Sequence, residues 1–333
     1  MANIATLSLI NGKWTAMFQG QVISSSGNKD YVVGYIKSGQ CARANKAKVV
    51  DAREVGEFIV TADGETEKIE TSADKFGIND RFAFLEDFVK MVADKTSPSL
   101  VVTGEGGLGK TFVVNKTLRA AGLANMQDLL SFQEDEAQEG EEPKATTFSR
   151  GENEKQYTVV KGYSTAKGLF RTLYENRHRI VVFDDCDSVL ENSTAVNLLK
   201  AALDSYDRRI ITWNSESFGG DDDLPRSFEF TGGVIFISNR PIFKIDQAIR
   251  SRAICVDLSM TASQKIERMG TIIKAEEFMP QYDMEIKENA LKFLDKMKNK
   301  AGDLNLRTLI SVTRVAARGG EWENRAEYLL TSA

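Results

Sequence analysis

The sequence is poor in the residues that build zinc sites and disulfide frameworks. It contains three cysteines and one histidine in 333 residues. Cys41, Cys186 and Cys255 are widely spaced and form no C-x-x-C pair. Both a structural zinc site and a disulfide-stapled fold are therefore disfavoured, and a reducing compartment is expected.

Long hydrophobic runs are also missing. No segment approaches the roughly 18 consecutive apolar residues that a membrane-spanning helix needs. The N-terminus lacks the basic segment followed by an apolar run that is typical of a signal peptide. Hydrophobic residues make up 42% and charged residues 27% of the chain, as in ordinary globular proteins. We therefore expect a soluble, cytoplasmic protein with no membrane partner.

The net charge of −5 gives little support to a protein whose whole surface binds nucleic acid, although a local basic patch would not appear in that sum. The length of 333 residues suits two or three structural units. Composition therefore does not identify the macromolecular partner, and the motifs have to be considered.

Residues 1–70 have the pattern of a small β-rich domain. Apolar runs at 5–10 and 13–18 flank Asn11-Gly12, which is a strong hairpin signal. A further strand is predicted at 31–36. We interpret this region as an accessory or docking domain, because nothing in it is typical of catalysis.

Residues 75–259 alternate short apolar strands with amphipathic helices. This alternation predicts an α/β fold, in which a parallel sheet is covered by helices on both faces. An acidic stretch at 133–155 is predicted to be a surface insertion. Residues 260–333 contain only helical patterns and are predicted to form a small all-helical lid domain.

A glycine-rich motif fits the phosphate-binding P-loop, G-x-x-x-x-G-K-[ST], and lies between a predicted strand at 99–103 and a predicted helix at 110–121. Glycines allow backbone N–H groups to wrap phosphates, and the helix directs the positive end of its dipole at them. Lys110 would reach the terminal phosphates, and the Thr111 hydroxyl would bind Mg²⁺. The predicted nucleotide-binding residues are Gly104, Glu105, Gly106, Gly107, Leu108, Gly109, Lys110, Thr111 and Phe112.

A second acidic motif follows the apolar strand predicted at 180–183. Asp184 and Asp185 stand at the carboxyl end of that strand, where ligands bind in open α/β sheets. Asp184 is the candidate second ligand of Mg²⁺. Asp185 is the candidate for orienting or deprotonating the attacking water. Asp187 is the candidate for supporting Asp184 and Asp185 or for binding a neighbour.

Together with three further features, these motifs resemble the AAA+ ATPases over about residues 75–333. Asn239, at the end of an apolar strand, is similar to the sensor 1 residue of that family. Arg250 and Arg252, just before another apolar strand, resemble its arginine-finger segment, with Arg252 the first choice. Arg307, which opens a helix in the C-terminal region, resembles sensor 2. The resemblance implies ATP and Mg²⁺ as cofactors, an ATP hydrolase activity, and a P-loop fold with a helical lid.

The resemblance also implies an active site shared between subunits of a homo-oligomeric ring, with six subunits as the expected number. Loops facing the pore of such a ring would include Lys161 and Tyr163. One departure from the family is the Asp184-Asp185 pair, because many members carry Asp-Glu. Aspartate is one methylene shorter, so we expect water activation that is slower or uses another group, and hydrolysis is still predicted.

Three functions remain open on the sequence. The first is a ring ATPase that remodels or translocates a macromolecule, with protein favoured over nucleic acid by the acidic balance of the chain. The second is a DNA- or RNA-dependent ATPase or loader. The third is a slow, nucleotide-gated scaffold that assembles on ATP.

Overall fold

A computed structural model describes most of the chain and divides it into two compact units, Met1–Lys75 and Phe76–Ala333. The described residues are 4–10, 13–18, 21–41, 48–51, 58–60, 66–68, 75–129, 150–162, 165–206, 208–214, 224–298, 300–301 and 304–331. Tyr163 and most of the acidic stretch at 133–155 therefore lie outside the described residues.

The N-terminal unit contains a four-stranded sheet in the order β3-β2-β1-β4. Strands β1 and β2 pair antiparallel, as do β2 and β3, whereas β1 and β4 pair in parallel. Two further strands form a separate antiparallel pair. The bounds are β1 Ile4–Ile10, β2 Lys13–Phe18, β3 Gln21–Ser26, β4 Lys48–Asp51, β5 Phe58–Val60 and β6 Thr66–Lys68.

The prediction of a strand at 31–36 is wrong, because these residues belong to helix α1, Lys29–Lys37. The side chain of Asn28 caps the helix by accepting hydrogen bonds from the backbone N–H groups of Asp30 and Tyr31. Val32 and Ile36, four residues apart, are buried on one face, while Tyr31 is exposed. The apolar run therefore belongs to a capped helix. Some of its apolar residues form the buried face of that helix and others lie on the surface.

The second unit is built on a six-stranded parallel sheet in the order β14-β7-β13-β10-β9-β8. The three central strands β7, β13 and β10 are buried at every position. The predicted parallel sheet is confirmed, and the bounds of β7 and β10 agree with the predicted strands at 99–103 and 180–183 to within one residue. The strands are β7 Ser99–Thr103, β8 Ala124–Asn125, β9 Gln156–Lys161, β10 Ile180–Asp184, β13 Gly233–Ile237 and β14 Ile254–Asp257.

Helices cover both faces of this sheet, because alternate strand residues point to opposite sides. Leu100 and Val102 pack in one cluster with apolar residues of α2 and α3. Val101, between them, packs in the other cluster with residues of α5 and α6. The helices are α2 Ile78–Ala93, α3 Lys110–Ala120, α4 Arg150–Asn153, α5 Ala166–Glu175, α6 Ser193–Leu203 and α7 Gln247–Arg250.

Strand β11, Ile210–Thr212, lies outside the parallel sheet. It pairs antiparallel with β12, Ser227–Glu229. Ile211 and Phe228 turn inward and join the cluster on the α5–α6 side. This short ribbon therefore adds to the core without extending the main sheet.

Four helices follow the last strand of the sheet: α8 Ala262–Ile272, α9 Met284–Met297, α10 Leu306–Ala316 and α11 Trp322–Thr331. They share a hydrophobic cluster that includes Met269, Leu294, Leu309 and Leu330. Across the part of the chain that the structure describes, no helix is both long enough and apolar enough to cross a membrane.

Candidate active site

The loop between β7 and α3 has a backbone that only glycine adopts easily. Gly104, Gly107 and Gly109 have φ angles of 136°, 73° and 89°. A Cβ atom on Gly104 would also lie 2.9 Å from the backbone carbon of Leu258. Three of the four glycines of the predicted P-loop are therefore required by its shape, which turns the chain sharply from a buried strand into the start of a helix.

Lys110, the first residue of α3, turns back into this loop. Its side chain is buried, and Nζ donates to the carbonyl oxygens of Gly104 at 2.6 Å and Glu105 at 2.7 Å. A third bond, 2.9 Å long, goes to Oδ1 of Asn239, which is 129 residues away in sequence. The lysine therefore lies at the centre of the loop and joins it to the end of β13.

Burial lowers the pKa of Lys110 to about 8, against the opposing effect of Asp185 and Asp184, which favour the charged ammonium. The folded protein thus holds this proton less tightly than the unfolded chain. The cost of keeping the lysine charged is present below pH 8 and is relieved as the pH rises from 8 toward its ordinary pKa of 10.5.

We predict that the stability of the ligand-free protein relative to a Lys110→Met variant increases with pH. From the linkage between pKa and stability, the difference in free energy of unfolding should shift by about 2 kcal/mol in favour of the natural protein between pH 7 and pH 9.5. Urea unfolding of both proteins in EDTA at the two pH values measures this shift. A difference in free energy of unfolding that stays constant with pH would show that folding does not lower the pKa of Lys110.

Thr111 and Asp184 meet directly, although they are 73 residues apart. The threonine hydroxyl donates to Oδ1 of Asp184 at 2.7 Å. Asp184 is the last residue of β10 and is buried. The fold therefore brings together the two residues predicted to bind Mg²⁺.

Asp185 is exposed and has a left-handed backbone, with φ at 56°. This conformation is uncommon outside glycine, and aspartate tolerates it better than most residues. Its Oδ1 accepts a 2.5 Å hydrogen bond from Nδ2 of Asn239. Asn239 therefore contacts both Lys110 and Asp185, and its amide orientation suits an ammonium on one side and a carboxylate on the other.

Asp187 holds the chain that carries Asn239. One carboxylate oxygen accepts a 2.5 Å hydrogen bond from the Ser238 hydroxyl, and the other accepts a 3.2 Å bond from the backbone N–H of Asn239. Asn239 is therefore positioned by both of the acidic residues that it contacts.

These groups surround a cavity of about 330 Å³, which is the size of a small-molecule site. It lies at the carboxyl ends of the parallel strands, where ligands bind in such sheets. Arg307 and Lys161 face the cavity together with the loop, the two aspartates and the exposed ring of Phe112. The lining residues are Gly106, Gly107, Leu108, Gly109, Lys110, Thr111, Phe112, Lys161, Asp184, Asp185, Asn239 and Arg307.

The C-terminal helices contact the glycine-rich loop at two places. At the start of α10, the backbone N–H of Leu306 donates to the carbonyl of Gly107 at 2.9 Å. On α8, the half-buried Lys265 forms an ion pair with Glu105. No sequence pattern singles out Lys265, because a lysine on an amphipathic helix is usually a surface residue.

Arg252 and Arg250 lie apart from this cavity. Ser99, at the opposite end of β7 from the loop, donates its hydroxyl to the carbonyl of Arg252 at 3.3 Å. Five strand residues, or about 16 Å, separate Ser99 from Gly104. The Arg252 side chain meets Asp204 at 3.4 Å and the carbonyl of Ala248 at 2.9 Å, and Arg250 bonds to the carbonyl of Ile245.

The side chain of Lys161, a residue that the family resemblance places in a pore-facing loop, lines the cavity. Residue 161 ends β9 and is the register partner of Asp184 on the neighbouring strand. Its Nζ lies 3.5 Å from Oδ2 of Asp184. The sequence placed this lysine at a strand end but could not show which strand would be its neighbour.

The donor set fits Mg²⁺ bound together with phosphates. Thr111 and Asp184 supply two adjacent oxygen ligands, and Mg²⁺ usually takes one or two carboxylates and completes its shell with water and phosphate. Within the described ranges, no group of three or more histidine, cysteine or acidic residues could hold a metal by itself.

No protein-family model matches the chain. A protein of Enterobacteria phage T4, described as an uncharacterized 36.7 kDa protein in the nrdC-mobD intergenic region, is 25% identical over 252 residues. The matched region covers 71% of this chain and 69% of the phage protein. The chain is thus similar to this phage protein over most of both sequences.

Proposed function

We propose that the unit Phe76–Ala333 is a Mg²⁺-dependent ATP-binding and ATP-hydrolysing domain of the AAA+ type. The observation that carries the proposal is the 2.7 Å hydrogen bond from Thr111 to Asp184. It joins the glycine-rich loop to the acidic strand, in a cavity that also contains Lys110 and Asn239. A glycine-rich turn with a chance lysine would not require such a partner.

The residues of the loop have separate tasks in this proposal. The backbone N–H groups of residues 106–111 and the start of α3 would bind the phosphates. Lys110, now bonded to the carbonyls of its own loop, would exchange those acceptors for phosphate oxygens. Thr111 and Asp184 would hold Mg²⁺, which when bound neutralises charge on the phosphates.

Asp185 and Asn239 would act on the water that attacks the terminal phosphate. Asp185 is exposed to the cavity and carries a free lone pair beyond its bond to Asn239, so it can accept a proton from water. Asn239 would orient both the carboxylate and the water. Arg307, on the side of the cavity formed by α10, would contact the phosphates and couple the C-terminal helices to the nucleotide.

Arg252 supports an oligomeric site. Its carbonyl contacts Ser99, and the strand from Ser99 to Gly104 spans about 16 Å, which is longer than an arginine side chain. Asp204 holds it half-exposed at the sheet's opposite end. We propose that Arg252, assisted by Arg250, completes the site of a neighbouring subunit in a homo-oligomeric ring, with six subunits as the number implied by the family resemblance.

Such a ring would remodel or translocate a macromolecule, and we favour a protein over a nucleic acid because the chain has a net charge of −5. The N-terminal unit would recruit that target. Stimulation of ATP hydrolysis by DNA or RNA would instead support the loader. Slow, unstimulated turnover with assembly on ATP would support the scaffold.

We predict that ATP hydrolysis per subunit rises with protein concentration and then saturates, because each site needs an arginine from a neighbour. Arg252→Ala should bind ATP normally and lose hydrolysis by about 10³-fold, the scale set by arginine fingers in other phosphoryl-transfer enzymes. Mixing it with Lys110→Ala should restore part of the activity, since a Lys110→Ala subunit can still donate its arginine. Hydrolysis that is flat in concentration by a protein sized as a monomer would contradict the shared site.

A further inference from the structure

We propose that Lys161 recognises the terminal phosphate and makes the site prefer a nucleoside triphosphate over a diphosphate; this inference rests on the proposed function. Lys161 has no place in the P-loop motif or in the acidic motif. Its assignment depends on where the sheet puts it and on what it contacts.

The order of strands fixes the position of Lys161 along the edge of the cavity. Strand β7 leads into the glycine-rich loop, and β13, β10 and β9 follow it in the sheet. Their ends carry Asn239, Asp184 and Lys161 in the same order. Lys161 is therefore the member of this row that lies farthest from the loop, past the residues that would hold Mg²⁺ and direct the water.

The backbone of Lys161 is held in place while its side chain remains free to move. Residue 161 is paired in register with Asp184, and neighbouring strands lie about 4.8 Å apart. The side chain is 67% exposed, so its ammonium group can move across the cavity at little cost. A lysine of this kind can follow a charge over several ångströms without a change in the fold.

Asp184 holds the ammonium of Lys161 near the place where the metal would bind. The contact is 3.5 Å long and uses Oδ2, while Oδ1 accepts from Thr111. A divalent cation beside Asp184 would repel this ammonium, because like charges at such short distance oppose each other. The anionic phosphates would attract it at the same time, so binding of a metal nucleotide transfers Lys161 from Asp184 to the phosphate nearest to it.

The nearest phosphate is the terminal one. The loop and Lys110 hold the phosphates from the side of β7, and the chain of phosphates must run toward Asp184 and Asp185 for hydrolysis to occur there. A diphosphate held in the same loop would end short of Lys161. Removing this lysine should therefore weaken triphosphate binding more than diphosphate binding.

The test is the affinity for ATP and for ADP, both with Mg²⁺, measured by calorimetry on the full chain. Lys161→Met should lower ATP affinity about tenfold and ADP affinity less than twofold, as expected for one lost charge-assisted hydrogen bond. Lys161→Arg should restore most of the preference. Lys167→Met, which removes an exposed charge six residues away, serves as the control and should change neither affinity.

Equal losses for ATP and ADP in Lys161→Met, or no loss for either, would overturn the role of Lys161 while leaving the P-loop function intact. A natural protein that binds neither nucleotide would overturn the proposed function and this inference with it. If Lys161 had only a structural role, Lys161→Met would lower the unfolding temperature. The proposed role instead predicts a tenfold shift in the ratio of ATP affinity to ADP affinity, which does not require a lower unfolding temperature.

Discussion

Asp185→Asn is expected to bind ATP within about twofold of the natural protein and to hydrolyse it at least 100-fold more slowly, the lower range for loss of a general base. The amide keeps the size of the side chain but cannot take a proton from water. Asparagine also tolerates the left-handed backbone at this position and can still accept the bond from Asn239. Binding measured by calorimetry and turnover measured by phosphate release separate the two effects.

The matched control for this substitution is Glu277→Gln, which removes one negative charge from an exposed side chain paired with Lys116. Its turnover should stay close to that of the natural protein. If Asp185→Asn were also to retain turnover, another group must activate the water, and the assignment of Asp185 would be wrong.

Lys110→Ala should weaken ATP binding by at least about 100-fold, since bonds between a charged donor and phosphate contribute roughly 1.5–3 kcal/mol each and every 1.4 kcal/mol is tenfold. The loss should appear with ATP and with ADP, which distinguishes it from the selective loss predicted for Lys161. The same calorimetric titration measures both variants.

Lys116→Ala is the control for that change. Lys116 lies on the same helix, α3, but its side chain is exposed and pairs with Glu277. Its loss should leave nucleotide affinity unchanged. Undiminished ATP affinity in Lys110→Ala would remove the basis for assigning a P-loop.

The central strands of the second unit could be predicted from the sequence. Strands β7, β10 and β13 are short, mostly apolar runs that are followed by polar or glycine-rich segments, and such runs can be recognised without knowledge of their neighbours. The motif residues at their ends could be named for the same reason. The spacing of Lys110, Asp184 and Asn239 along the chain was therefore enough to propose a common site.

Features that depend on which helices and strands become neighbours in the fold could not be predicted from the sequence. The sequence could not show that β9 would lie beside β10, so it could not place Lys161 against Asp184. It could not show that Lys265 of α8 would reach Glu105. In the N-terminal unit, the mostly apolar run in α1 fits a strand equally well, and only the cap at Asn28 and the burial of Val32 with Ile36 decide for a helix.

The position of β13 has a consequence for the order in which the protein can fold during synthesis. This strand, Gly233–Ile237, lies between β7 and β10 in the sheet. Both of those strands end at least 49 residues before it begins. Until the ribosome has released β13, β7 and β10 have no shared neighbour, and the loop cannot meet Asp184. Since β7 ends at residue 103 and β13 at residue 237, the nascent chain carries an unpaired apolar strand for a substantial part of its synthesis, and such exposed strands favour aggregation. A chain truncated before residue 233 should accordingly aggregate, whereas one that extends through β14 has the complete parallel sheet.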